Sequence, residues 1–94
     1  MSCYKLEVVK RILRVRYGAE QVSVGARPRT EVWRRVLAGH DHRVYLTWEH
    51  DEEIVPEMEL RCAAEGLAID AESLIDAVRA AGGLWLGPSP PGAA

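Results

Sequence analysis

The apolar positions at the start of the chain recur with helical spacing. At about 100° per residue, Leu6, Val8, Val9, Ile12, Leu13 and Val15 cover one side, while Glu7, Lys10, Arg11 and Arg14 share a narrow opposite face. This predicts an amphipathic helix over residues 5–16, stopped by Gly18. A period-two reading, with strands over Tyr4–Val8 and Leu13–Tyr17, competes with it. No turn residue separates those two runs, so the helix is preferred. Gln21-Val22-Ser23-Val24 then reads as a short strand, and Gly25-Ala26-Arg27-Pro28-Arg29 as a loop, because Pro28 pushes Arg27 out of the helical region.

Residues 31–38 read as a short helix. Thr30 is its cap, Glu31 suits the positive end of its dipole and Gly39 closes it. Val32, Trp33, Val36 and Leu37 would form its buried side, with Arg34 and Arg35 pointing away. Residues 43–48 alternate strictly: Val44, Leu46 and Trp48 on one face, Arg43, Tyr45 and Thr47 on the other, the pattern of a half-buried strand. An acidic turn over 49–53 follows.

Residues 56–65 carry two signals. Pro56, Glu57, Glu59, Ala63, Ala64 and a closing Gly66 favour a helix; the alternation of Met58, Leu60 and Cys62 favours a strand paired with 43–48. The helix is preferred. Asp70 caps a last helix with the apolar stripe Leu74, Ile75, Val78 and Ala81, ended by Gly82-Gly83. Leu84-Trp85-Leu86 can dock as a short edge strand. These elements predict an α+β domain over residues 1–86, with three to four helices and a small two- or three-stranded sheet, followed by a disordered Pro/Gly tail over 87–94.

Composition narrows the class. With 94 residues, 48 % hydrophobic and 28 % charged, the chain suits one soluble globular domain. A domain this small buries only about 60–65 % of its unfolded surface, so homo-oligomerisation would help it. No apolar run approaches the roughly 18 residues needed to span a bilayer, and the N-terminus lacks a signal-peptide layout, so a cytoplasmic protein without a membrane partner is expected. Cys3 and Cys62 form no CxxC pair; both are expected to be free thiols, with Cys62 buried.

Charge changes the picture more. The net charge of −2 conceals a split: residues 1–43 carry ten basic and four acidic side chains, a net of +6, and residues 44–94 carry two and ten, a net of −8. Such polarity suits either a nucleic-acid-facing half or oppositely charged surfaces that meet, within a chain or between chains.

Three chemistries follow. Arg27, Arg29, Arg34 and Arg35 around Trp33, extended by Lys10, Arg11 and Arg14, could grip phosphates and stack a base. Against this stand an isoelectric point of about 5.9 and the need for Trp33 in the core. The same arginines could instead be solvated or pair with the acidic face of Glu52, Glu53, Glu57 and Glu59. His40, His42 and His50, beside Asp41 and Asp51, are candidate metal ligands or general bases. However, His40 and His50 stand roughly 20 Å apart along one strand, at about 3.3 Å per residue, so a fold-back or second chain would have to unite them. No phosphate loop or nucleophile motif is present, and the helices flanking Gly66 are too acidic to be a DNA-reading pair. The expectation is therefore a non-catalytic protein-interaction module, a regulator or inhibitor without a cofactor. It would act through complementary charged surfaces on another protein or on its own copy. A nucleic-acid binder using Arg27–Arg35 and a histidine-based metal-dependent hydrolase are the alternatives.

Overall fold

The computed structural model describes residues 2–24, 27–49 and 53–87. The chain runs β1 (Cys3–Lys5), α1 (Leu6–Tyr17), β2 (Glu20–Val24), β3 (Thr30–Leu37), β4 (His40–Thr47), β5 (Ile54–Pro56), α2 (Glu57–Gly66) and α3 (Ala71–Ala80). The three helices accompany an antiparallel sheet in the order β2-β3-β4 and a two-stranded pair β1-β5, an α+β arrangement.

Helix α1 buries Leu6, Val8, Val9 and Leu13, with Glu7 in its first turn and Arg14 and Arg16 in its last, each favourable to the helix dipole. It stops where expected. Gly18 takes the left-handed conformation (φ 66°), and its N–H donates to the Arg14 carbonyl at 3.2 Å.

The expected helix over 31–38 is instead strand β3, the centre of the larger sheet. Ala38 and Gly39 both have positive φ (50° and 80°), and Leu37 pairs with His40. That is a two-residue hairpin turn whose twist suits the strands it joins. The capping and stop residues that would serve a helix serve a hairpin equally well. Pairing along both edges, together with the β-branched and aromatic content of Val32, Trp33 and Val36, decides for the strand.

Strand β2 lies at the sheet edge. Gln21 stands opposite Trp33 and Ser23 opposite Val32, so Val22 is an extra residue in the ladder, a β-bulge. Strand β4 keeps its expected faces: Leu46 is buried, and Val44 and Trp48 pack against the core.

The two sheets meet through Glu49 and Ile54, whose backbone groups pair with each other, Glu49 N–H donating to the Ile54 carbonyl at 2.8 Å. Strand β1 is short but hemmed in, with Tyr4 opposite Val55 on one side and bridged to Leu84 on the other. Tyr4 is fully buried; its hydroxyl donates to Glu57 Oε1 (3.1 Å) and accepts from Arg79 Nε (3.3 Å). Of the expected 84–86 edge strand, Leu84 bridges Tyr4 and the Trp85 N–H donates to the Cys3 carbonyl at 2.8 Å, while Leu86 is exposed. Residues 88–94 of the expected tail lie outside the described residues.

Helix α2 buries Leu60, Ala63 and Ala64, continued by Leu67, the i, i+3, i+4, i+7 stripe of a helix laid on a core. The strand alternative for 56–65 fails because only Leu60 of its alternating set is buried. Cys62, expected inside, is exposed, because it lies off that stripe. Helix α3 is capped as read: Asp70 Oδ2 accepts from the Ser73 N–H and hydroxyl, both at 3.0 Å. One continuous core joins Tyr4, Leu13, Trp33, Leu46, Leu60, Leu74 and their neighbours.

Gly83 closes this core where the chain leaves α3. A Cβ there would lie 2.8 Å from both the Val78 carbonyl and Val8 Cγ1, too close for an ordinary contact. Gly83→Ala should therefore cost about 1–3 kcal/mol through overpacking, read as a lowered urea midpoint at unchanged m-value.

Candidate functional site

Strand alternation sorts the central sheet into two faces. The register pairs Thr30 with Thr47, Val32 with Tyr45, Arg34 with Arg43 and Val36 with Asp41. Directly opposed residues of an antiparallel pair project to the same side. Glu31, Trp33 and Leu46 face the helices and are buried, so the four pairs just named form the outer face. No described helix covers that face. Tyr45 is 68 % exposed there and Val36 54 %.

The outer face is wired by one carboxylate. Arg34 and Arg43 are directly opposed like charges, an unfavourable cross-strand pair if left alone. Asp41 lies between them, 3.3 Å from Arg43 Nη2 and 3.2 Å from Arg34 Nε, while Glu20 of β2 takes Arg34 Nη1 at 3.0 Å. The hydrogen bond from Arg43, aided by the Arg34 charge, holds the Asp41 carboxyl below its ordinary value.

At the end of this face away from the hairpin turn, Arg27, Thr30, Tyr45 and Thr47 line an open cleft of about 430 Å³. Trp48 N–H donates to the Arg29 carbonyl at 3.1 Å and ties the loop down beside it.

The inner face accounts for residues expected to bind nucleic acid. Trp33 is completely buried; its indole N–H donates to Glu31 Oε1 at 3.3 Å, and the Arg14 guanidinium sits 5.2 Å over its ring. Lys10 pairs with the other Glu31 oxygen at 3.3 Å. Lys10, Arg14 and Glu31 thus seal an indole that a base cannot reach. Arg35 also turns inward. Its Nε donates to the Tyr17 carbonyl (3.2 Å), its Nη1 to the Leu67 and Ala68 carbonyls (3.2 and 2.9 Å), and its guanidinium stacks 5.6 Å from the Tyr17 ring. One cation thereby satisfies carbonyls at the C-terminal ends of α1 and α2.

The basic cluster expected from the sequence is therefore divided. Arg34 lies on the outer face, and Arg27 and Arg29 are exposed at its end. Trp33 and Arg35 lie on the inner face, and Lys10, Arg11 and Arg14 belong to the helix packed there. A helix would have kept Arg34 and Arg35 together; the strand sends them to opposite sides.

Among the acidic residues, Glu57 and Glu72 pair with Arg61 (3.5 and 2.6 Å), joining α2 to α3. Glu53 and Glu59 take part in no ion pair with a described residue, and Glu52 lies outside the described residues. Every ion pair among the described residues joins two residues of the same half of the chain. His40 and His42 share the inner side of β4, opposite Leu37 and Arg35, and His50 lies outside the described residues. Among the described residues no three His, Cys, Asp or Glu side chains converge as a metal site would require.

Tyr45 and Arg43 were not picked out as functional candidates from sequence, although the alternation of 43–48 already placed them on the solvent side. The usable signal was an aromatic residue at an outward strand position between an arginine and a threonine.

Two outcomes test this wiring. Arg35→Leu should cost about 1–2 kcal/mol of unfolding free energy, because partly exposed helix-end carbonyls lose charged donors. Arg35→Lys should recover only part of that, since an ammonium lacks the planar fork. Asp41 has a folded pKa below its unfolded value of 3.8. Its stabilising contribution is thus fully present above that pH and lost as pH falls through the lower folded value. Urea midpoints of Asp41→Asn should therefore fall below wild type at neutral pH and converge with it in strong acid.

Comparison with protein-family models, with curated proteins and with solved structures finds no match for this chain.

Proposed function

We propose that this chain is a non-catalytic protein-interaction module, a regulator or inhibitor, and that the outer face of the β2-β3-β4 sheet is where its partner docks. The observation that carries this reading is the placing of Val32, Val36 and Tyr45. An antiparallel sheet with one solvated face ordinarily puts polar residues outward. Here three apolar side chains take those positions, Tyr45 and Val36 more than half exposed.

The chemistry of the patch agrees. Tyrosine and arginine are enriched in protein interfaces and dominate their binding energy, and Tyr45 stands between Arg43, Arg34 and Arg27. Ion pairing confined within each half of the chain leaves the two halves with net charges of opposite sign, which would steer a partner of complementary charge. No described helix is long and apolar enough to cross a membrane. The two free thiols, with Cys62 exposed, suit a reducing compartment such as the cytoplasm.

A nucleic-acid role for Arg27–Arg35 is weaker: Trp33 is sealed, Arg35 is committed to carbonyls, and Arg34 already has two carboxylates. The test compares immobilised wild-type protein with a Val36→Ser/Tyr45→Ser variant of matched circular dichroism. Wild type should retain a specific partner from the native host, or its own copy, the variant should lose it, and retention should weaken between about 50 and 500 mM salt. Equal retention by both proteins, or none by wild type, overturns the reading. A single-stranded oligonucleotide bound at micromolar protein and lost in the variant would replace the protein partner by nucleic acid.

A further inference from the structure

We propose that the cleft between Arg27, Thr30, Tyr45 and Thr47 is a subsite for an oxyanion carried on a side chain of the docked partner, a carboxylate or a phosphate; this rests on the docking face proposed above. The argument is one of unspent charge. On the outer face, Arg34 is matched by Glu20 and Asp41, and Arg43 by Asp41. Among the described residues, Arg27 has no ion pair with a carboxylate and no acidic residue lines the cleft. Arg29, exposed at the same end, also has no ion pair with a described carboxylate and lines a neighbouring hollow beside Glu49, so Arg27 is the unmatched cation that lines this concave site.

The donors suit an oxyanion. The Arg27 guanidinium offers a planar fork that matches carboxylate and phosphate oxygens. Neither the Thr47 nor the Tyr45 hydroxyl makes a hydrogen bond to a described residue, and Tyr45 is 68 % exposed. Thr30 is different: its hydroxyl already donates to the Pro28 carbonyl at 3.3 Å, which fixes the loop and leaves Thr30 as floor. Register pairing places Thr30 against Thr47, so the base of the cleft is held by the sheet, with the Trp48-to-Arg29 backbone bond closing the same end. A volume of about 430 Å³ falls at the small end of ligand sites. It accommodates one side chain and its headgroup, with the Tyr45 ring available to pack against an aromatic stem.

The test titrates the ¹⁵N-labelled full chain with three short peptides that differ at one position: phosphotyrosine, glutamate or glutamine. The anionic peptides should shift the amide signals of Thr30, Tyr45 and Thr47 saturably, and the glutamine peptide should not. Tighter binding of the phosphotyrosine peptide identifies phosphate as the source, and equal binding identifies carboxylate. Arg27→Gln should weaken either by about tenfold while leaving the melting temperature unchanged. Unmoved signals at millimolar peptide, or equal affinity in Arg27→Gln, overturn the subsite. That failure is separable from failure of the docking face, which Val36→Ser alone probes without touching any residue that lines the cleft.

Discussion

Strand β3 is paired along both of its edges, and that constraint sets the rest of the molecule. With β2 on one side and β4 on the other, the strand cannot rotate or slip without breaking two ladders. Its side chains must alternate between helices and solvent. Trp33 and Glu31 go inward and become the anchor for α1. Arg34, together with Arg43 and Tyr45 of β4, goes outward and becomes surface. The inner and outer chemistries are two readings of one eight-residue segment.

On the inner side, cations do structural work that their exposure in a linear sequence would not suggest. Arg14 covers the indole it stacks on, and Lys10 neutralises a carboxylate that is only 8 % exposed. Arg35 gathers carbonyls from the ends of two helices that are distant in the chain. Such groups are expensive to bury alone and tolerable when each donor finds an acceptor. Much of the positive charge counted in the first half is consequently committed to holding the domain together. What remains unpaired at the surface is smaller and more localised than the sum of charges implies.

The parts legible in the sequence were those where local and long-range demands agree. Helix α1, the alternation of β4 and the Asp70 cap of α3 each satisfy their own propensity and their packing at once, so periodicity alone finds them. For Pro56–Gly66 the dipole-compatible acidic start and the alanines outweighed a misleading alternation. Residues 31–38 were not legible, because Val32, Trp33, Val36 and Leu37 fit a helical stripe as well as they fit a strand. The deciding partners, 20–24 and 40–47, are contributed from outside the window. That misreading carried through to the candidate site, since helical spacing put Arg34 and Arg35 on one exposed face with Trp33 beneath them. Tyr45 was visible as outward-facing, but the exposed surface it shares with Val32 and Val36 exists only once β3 is a strand.

The extra residue at Val22 has a bearing on how copies of this protein can meet. An open sheet whose free border is a regular strand invites endless lateral growth, one chain adding to the next through backbone hydrogen bonds. A kinked border with one unmatched residue spoils that template at the outermost strand. Along the β2 border, lateral growth through the backbone is thereby discouraged, and a contact on that side falls to the flat of the sheet, where side chains discriminate between surfaces.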